Sequence, residues 1–225
     1  MNIVGKISLP QRKATLSTAT VIRLAGLAAV AAGLCFIVVG LFHPVNEPAA
    51  VTTATWANVH IFATVMGLLG MAGMTGLYAR QAKQIGWLGL AGYGLFTLWL
   101  ALVTAFSMVE AFILPGLATE SPAFVASFLG MFSGAGGTID LGAMPLMWTL
   151  SGGMYILGPL MFGIATFRAR ILPRGAAALL AFGALLVPVG ALVPPKYESL
   201  IMVPVGLALS WLGYALFVER QKNES

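Results

Sequence analysis

Apolar residues fall along this chain in six long blocks, separated by short polar stretches or stretches rich in glycine and proline. The blocks cover residues 24–43, 60–79, 86–114, 144–167, 175–193 and 200–218. Each is close to the roughly 20 residues a helix needs to cross the hydrocarbon of a bilayer. The pattern therefore predicts an all-α fold, a six-helix transmembrane bundle. The 86–114 block exceeds a perpendicular crossing, which predicts tilt or an extension past the lipid. The first block is longer than the core of about 7 to 15 residues of a signal peptide and leads into no small-residue cleavage site, so it reads as a retained span. The connection at 115–142 is too long for a simple turn. Ser121-Pro122 reads there as an N-cap with proline at the first helical position, and Phe124, Phe128, Met131 and Phe132 follow at three-to-four spacing. A short helix lying in the outer interface, between spans 3 and 4, is expected, with Gly134-Ala135-Gly136-Gly137 ending it.

Composition agrees and narrows the organisation. Of 225 residues, 59% are apolar and 8% charged, against about a quarter charged in an ordinary soluble domain, and the mean hydropathy is +0.94. No room is left for a separate soluble domain. The expected layout is an N-terminal cytoplasmic segment at 1–23, a single membrane domain at 24–218 and a cytoplasmic tail at 219–225. The net charge of +5 does not point to nucleic acid, because the basic residues border apolar blocks instead of lining a groove. With six spans both termini share one side. That side collects Lys6, Arg12, Lys13, Arg23, Arg80, Lys83, Arg168, Arg170, Arg174, Arg220 and Lys222, while the other carries Lys196 against Glu47, Glu110, Glu120, Asp140 and Glu198. By the positive-inside rule both termini are cytoplasmic.

Small residues within the blocks read as packing surfaces. Ala25, Ala29 and Gly33 share one face of the first block, and Gly67, Gly70, Gly73 and Gly76 form a drifting stripe on the second. Membrane helices use such faces for close approach. The eleven methionines are spread along the spans and read as core filling, and the lone Cys35 reads as a small core residue. A phosphate loop with lysine is absent, and Ser151 has no histidine on a late span to activate it.

One constellation could carry chemistry. The two histidines lie at equal depth by residue counting: His43 closes the first span and His60 opens the second. Glu110 lies near the outer end of the third, at the head of a polar stripe with Thr97, Thr104 and Ser107. Trp56 and Thr64 share the helical face of His60, and Asp140 and Glu47 could join from loops. An ionisable residue inside a span is costly enough to mark a functional site. Two imidazoles and a carboxylate suffice for a divalent metal such as zinc with an open position, for proton relay, or for holding a small polar ligand or lipid headgroup. Helix-end capping by the same residues is the structural alternative. The spacing matches no established ligand motif and names no cofactor.

Several segments carry a resemblance: Leu41-Phe42-His43-Pro44, Trp56 with His60, Gly76-Leu77-Tyr78-Ala79-Arg80-Gln81, Glu110-Ala111-Phe112-Ile113-Leu114-Pro115, Ile171-Leu172-Pro173-Arg174, Pro194-Pro195 and Trp211-Leu212-Gly213-Tyr214-Ala215-Leu216. In these the chain is similar to a group of six-span bacterial integral membrane proteins with no established activity. The resemblance implies the six-span topology and a bacterial cytoplasmic (inner) membrane, and it supplies no substrate. The expected partners are the lipid bilayer and a small ligand, lipid or ion held at an outer-side pocket, with or without transport. A metal-dependent enzyme using His43, His60 and Glu110 is the alternative, followed by a non-catalytic accessory subunit. If the charge asymmetry sets orientation, a fluorescent protein fused after Ser225 will fluoresce and alkaline phosphatase at the same point will be inactive; the opposite pattern reverses the topology.

Overall fold

The computed structural model describes residues 17–190 and 192–219, and every regular element in them is helical. In chain order these are α1 (Thr18–Phe42), α2 (Ala54–Gln81), α3 (Gly86–Phe112), α4 (Leu114–Glu120), α5 (Pro122–Ser133), α6 (Met144–Ala169), α7 (Arg174–Leu185), α8 (Val187–Gly190), α9 (Pro195–Glu198) and α10 (Met202–Glu219), with short 3-10 turns at Pro48–Ala50 and Ser199–Ile201. The expectations placed on 1–16 and 220–225, including the basic residues Lys6, Arg12, Lys13, Arg220 and Lys222, lie outside the described residues.

Five helices are long and apolar enough to cross a membrane: Thr18–Phe42, Ala54–Gln81, Gly86–Phe112, Met144–Ala169 and Pro195–Val218. The chain is a multi-pass, membrane-embedded protein. The fifth apolar block differs from expectation, since it is broken into α7 and α8 at Leu186. Pro188 explains the break, because proline has no N–H and its ring clashes with the carbonyl four residues earlier. The 12 residues of α7 span roughly 18 Å, well short of a hydrocarbon core about 30 Å thick.

The short α7 nevertheless completes the architecture. α1 packs on α2, α2 on α3, α3 on α6, α6 on α7, α7 on α10 and α10 back on α1, giving a closed ring of six antiparallel neighbours. The interior is filled with large side chains. Phe36 of α1 lies 5.8 Å from Trp99 of α3, which stacks at 4.3 Å on Tyr155 of α6, and Phe96, Phe162, Met66, Met74 and Leu77 are fully buried around them. Toward the end where α2 finishes, Gln81 Nε2 donates to Thr166 Oγ1 of α6 at 2.9 Å in a buried bond. Of the described cations, Arg23, Arg80, Lys83, Arg168, Arg170 and Arg174 belong to this end of the ring and Lys196 to the other.

The opposite end is capped by the α3–α6 connection. α5 begins with Pro122 and ends on Gly134 in the left-handed region at φ 74°. Ser121 occupies the N-cap position, but its side chain makes no capping bond. Val125, Phe128, Leu129 and Met131 of α5 are buried in a cluster with Trp56, Phe106 and Val51, so its apolar face covers the ring. Ser127 Oγ fastens the return segment by accepting from Ile139 N at 3.0 Å while donating to Ala123 O.

The small-residue stripes do the joining. On α2 the stripe divides between two partners: Gly73 and Gly76 face Ala29 and Ala25 of α1, whereas Gly67 and Gly70 face Thr104 and Leu100 of α3. Lipid tails are as apolar as leucine, so helices associate in membranes through such close packing and not through a hydrophobic drive. A Cβ at Gly73 would lie 2.6 Å from Ala29 Cα, against backbone that cannot move aside. Gly73→Leu should therefore lower stability by at least about 1–3 kcal/mol, the usual cost of overpacking. Thermal unfolding in mild detergent measures it, and an unchanged midpoint would show that the α1–α2 contact gives way easily.

Candidate functional site

At the capped end of the ring, α2 starts beside the end of α3, and one tryptophan ties them. Thr53 caps α2, its Oγ1 accepting from Trp56 N at 3.2 Å. This fixes the first turn and aims the Trp56 ring across to α3. There Nε1 donates to the Glu110 carbonyl at 2.8 Å in a buried bond, satisfying a backbone acceptor near the C-terminus of α3. His60 sits one turn along, its ring centroid 4.2 Å from that of Trp56, and is 1% exposed.

The hydrogen bonds of His60 determine what it presents. Nδ1 lies 2.8 Å from the Trp56 carbonyl; a carbonyl only accepts, so Nδ1 carries a proton and donates it. Nε2 is then the nitrogen facing away. It is buried, has no hydrogen-bond partner, and stands 3.5 Å from Glu110 Oε1, beyond a normal hydrogen bond and within ion-pair range. His43, half-buried just past α1, repeats the pattern: Nδ1 donates to the Pro44 carbonyl at 2.7 Å, and its ring meets that of His60 edge-on at 5.1 Å between centroids. Holding Nδ1–H on a backbone carbonyl selects the tautomer whose Nε2 has a free lone pair.

These three side chains border a cavity of about 130 Å³. Ser107 and Asn46 add polar atoms, and Val39, Ala63, Met66, Val103 and Met202 add aliphatic wall, while Trp99, Phe106, Phe132 and Trp148 supply the rings. Phe106, Phe132 and Trp148 stand near-perpendicular to one another, with interplanar angles of 78°, 86° and 67°. A cavity of this size matches one that accepts benzene. It suits a ligand of about six heavy atoms, or a few waters.

The structure thus brings His43, His60, Glu110 and Trp56 together and leaves Asp140 apart. Asp140 is exposed, and its Oδ1 accepts from Gly142 N at 2.8 Å, where Gly142 adopts φ 59°. It shapes the turn before α6. Glu47 is likewise exposed, at the N-cap of the 3-10 turn. The polar stripe on α3 does not form a lane: Thr104 Oγ1 bonds to Leu100 O of its own helix at 2.7 Å. Among the described residues no three His, Cys, Asp or Glu side chains are grouped so as to hold a metal ion. Ser151 Oγ donates to Trp148 O at 2.7 Å. Trp99, Val103 and Phe106 share a helical face with Ser107 and Glu110 and could have been read from spacing. Phe132, Trp148 and Met202 come from elements whose positions only the ring decides.

No family model, no curated protein and no solved structure matches the chain. The geometry of the site is therefore the ground for a functional reading.

Removing the indole donor tests the framework around the site. Trp56→Phe keeps most of the ring but leaves the Glu110 carbonyl without its partner, which should cost about 1–3 kcal/mol. Thermal unfolding in detergent reads this, and a loss under a few tenths would mean the bond does not hold α2 to α3.

Proposed function

We propose that this is a bacterial cytoplasmic-membrane protein, with both termini in the cytoplasm, that binds a small ligand in the outer-side cavity of His43, His60 and Glu110. The observation that carries the reading is the buried, unpartnered His60 Nε2 facing Glu110 beside a cavity of about 130 Å³. Buried polar groups are nearly always hydrogen-bonded, and an exception at a cavity is where a ligand or water belongs. The orientation rests on the six described cations at one end of the ring and on the acidic excess at the other. Filled with aromatic side chains below the cavity, the interior supports binding, or transport by alternation, over an open pore.

The metal-dependent enzyme is the second reading. It is favoured by two imidazoles whose Nδ1–H groups are held by carbonyls, as in metal ligands, and weakened by the lack of a grouped third ligand among the described residues. Elemental analysis of protein purified gently from its own membrane separates the two. A stoichiometric metal lost in His43→Ala and His60→Ala favours the enzyme. For ligand binding, thermal unfolding should rise with at least one ligand class, by about 2.7 kcal/mol at a hundredfold excess over Kd, and the rise should vanish in Glu110→Ala. Absence of protection by every class of ion, acid, amine, alcohol and lipid would overturn the proposal.

A further inference from the structure

We infer that the ligand of this cavity is a small primary ammonium, R–NH3+. This rests on the reading of the cavity as a ligand site and goes on to name what the site takes. Three groups of the cavity supply acceptors: the Nε2 lone pairs of His43 and His60, whose Nδ1–H groups are occupied by the Pro44 and Trp56 carbonyls, and the Glu110 carboxylate. With His60 neutral and Glu110 ionised, two lone-pair atoms face each other at 3.5 Å with nothing between them. A donor has to fill that position. An anion or a carbonyl brings further acceptors and cannot fill it. An ammonium brings three N–H donors and a positive charge, matching a carboxylate and neighbouring imidazole nitrogens.

The remaining walls fit the rest of such a molecule. Val39, Ala63, Met66 and Val103 accept an alkyl tail, and the rings of Trp99, Phe106, Phe132 and Trp148 favour a cation nearby. A cavity of about 130 Å³ takes a group of about six heavy atoms. The capped end carries Glu47, Glu120, Asp140 and Glu198 against Lys196, a field that draws cations. With R–NH3+ beside ionised Glu110 and neutral His60 the pair carries no net charge. His43, His60 and Glu110 are the ionisable groups of the lining; α5, α6 and α10 contribute Phe132, Trp148 and Met202. The ammonium could come from a free amine or from a phosphatidylethanolamine headgroup.

The test is isothermal titration calorimetry on the full chain in phosphatidylcholine nanodiscs with n-butylammonium, tetramethylammonium, n-butanol and butyrate. n-Butylammonium should bind saturably. Tetramethylammonium, which has the charge but no N–H, and n-butanol, which has no charge, should each bind at least about tenfold more weakly. Glu110→Gln should weaken n-butylammonium by about ten- to a hundredfold; if that variant does not fold, the wild-type series decides. No saturable n-butylammonium binding, or equal binding of tetramethylammonium, overturns the inference. If n-butanol or butyrate binds instead and is lost in His60→Ala, the cavity remains a ligand site and only the ammonium assignment falls. If none of the four binds, both readings lose their support. Repeating the titration with phosphatidylethanolamine in the nanodiscs assigns the source: binding suppressed by the lipid points to its headgroup, and unchanged binding to a free amine.

Discussion

Close approach of helix backbones is the constraint on which this molecule depends. A chain with so little polar surface gains nothing by hiding leucines from lipid that is equally apolar, so its helices must be held by contact at small residues and by hydrogen bonds between neighbours. The structure shows both. Gly73 and Gly76 against α1, Gly67 and Gly70 against α3, and Gly206 and Gly213 of α10 against Gly33 and Gly26 of α1 bring neighbouring axes together closely enough to close a ring. Side chains of Phe36, Phe96, Trp99 and Tyr155 then fill the inside. The ring tolerates one short member because α7 needs only to reach its neighbours: Gly163 of α6 meets Ala177 and Ala181, and Gly183 meets Val205 of α10.

The site is a consequence of where that packing stops. At the capped end a space bordered by Trp99 on one side and by Phe106, Phe132 and Trp148 on the other is left partly empty. The bond from Trp56 Nε1 to the Glu110 carbonyl sets the register of α2 on α3, and this register places His60 Nε2 opposite the carboxylate. Burying an imidazole and a carboxylate costs more than their attraction returns unless their remaining polar atoms are satisfied. Here the carbonyl side of His60 is satisfied and its Nε2 is not.

The same arrangement explains the distribution of roles among the polar residues. Thr64 and Thr104 return their hydroxyls to carbonyls of their own helices, and Gln81 Nε2 donates to Thr166 at the far end. Asp140 shapes a turn in the exposed return segment. Of the acidic residues on the capped side, Glu110 is the one buried in the ring, and both histidines of the chain stand beside it.

How much of this could be read from the sequence follows from the range of the forces involved. Length and hydropathy determined the helices, because each must satisfy its own backbone within lipid and needs a fixed number of residues to cross. They also determined the small-residue faces and the equal depth of His43, His60 and Glu110, which depend only on helical rise and period. The break at Leu186 was legible in principle from Pro188, yet Pro159 stands inside an unbroken α6, so a proline in a span does not by itself say whether the helix stops. Which faces meet, that α7 closes the ring in spite of its length, that α5 turns its phenylalanines inward, and that Trp148 and Phe132 wall the cavity while Asp140 does not, were decided by tertiary structure. Those outcomes depend on contacts between residues far apart in the chain, and local periodicity carries no record of which helix lies beside which.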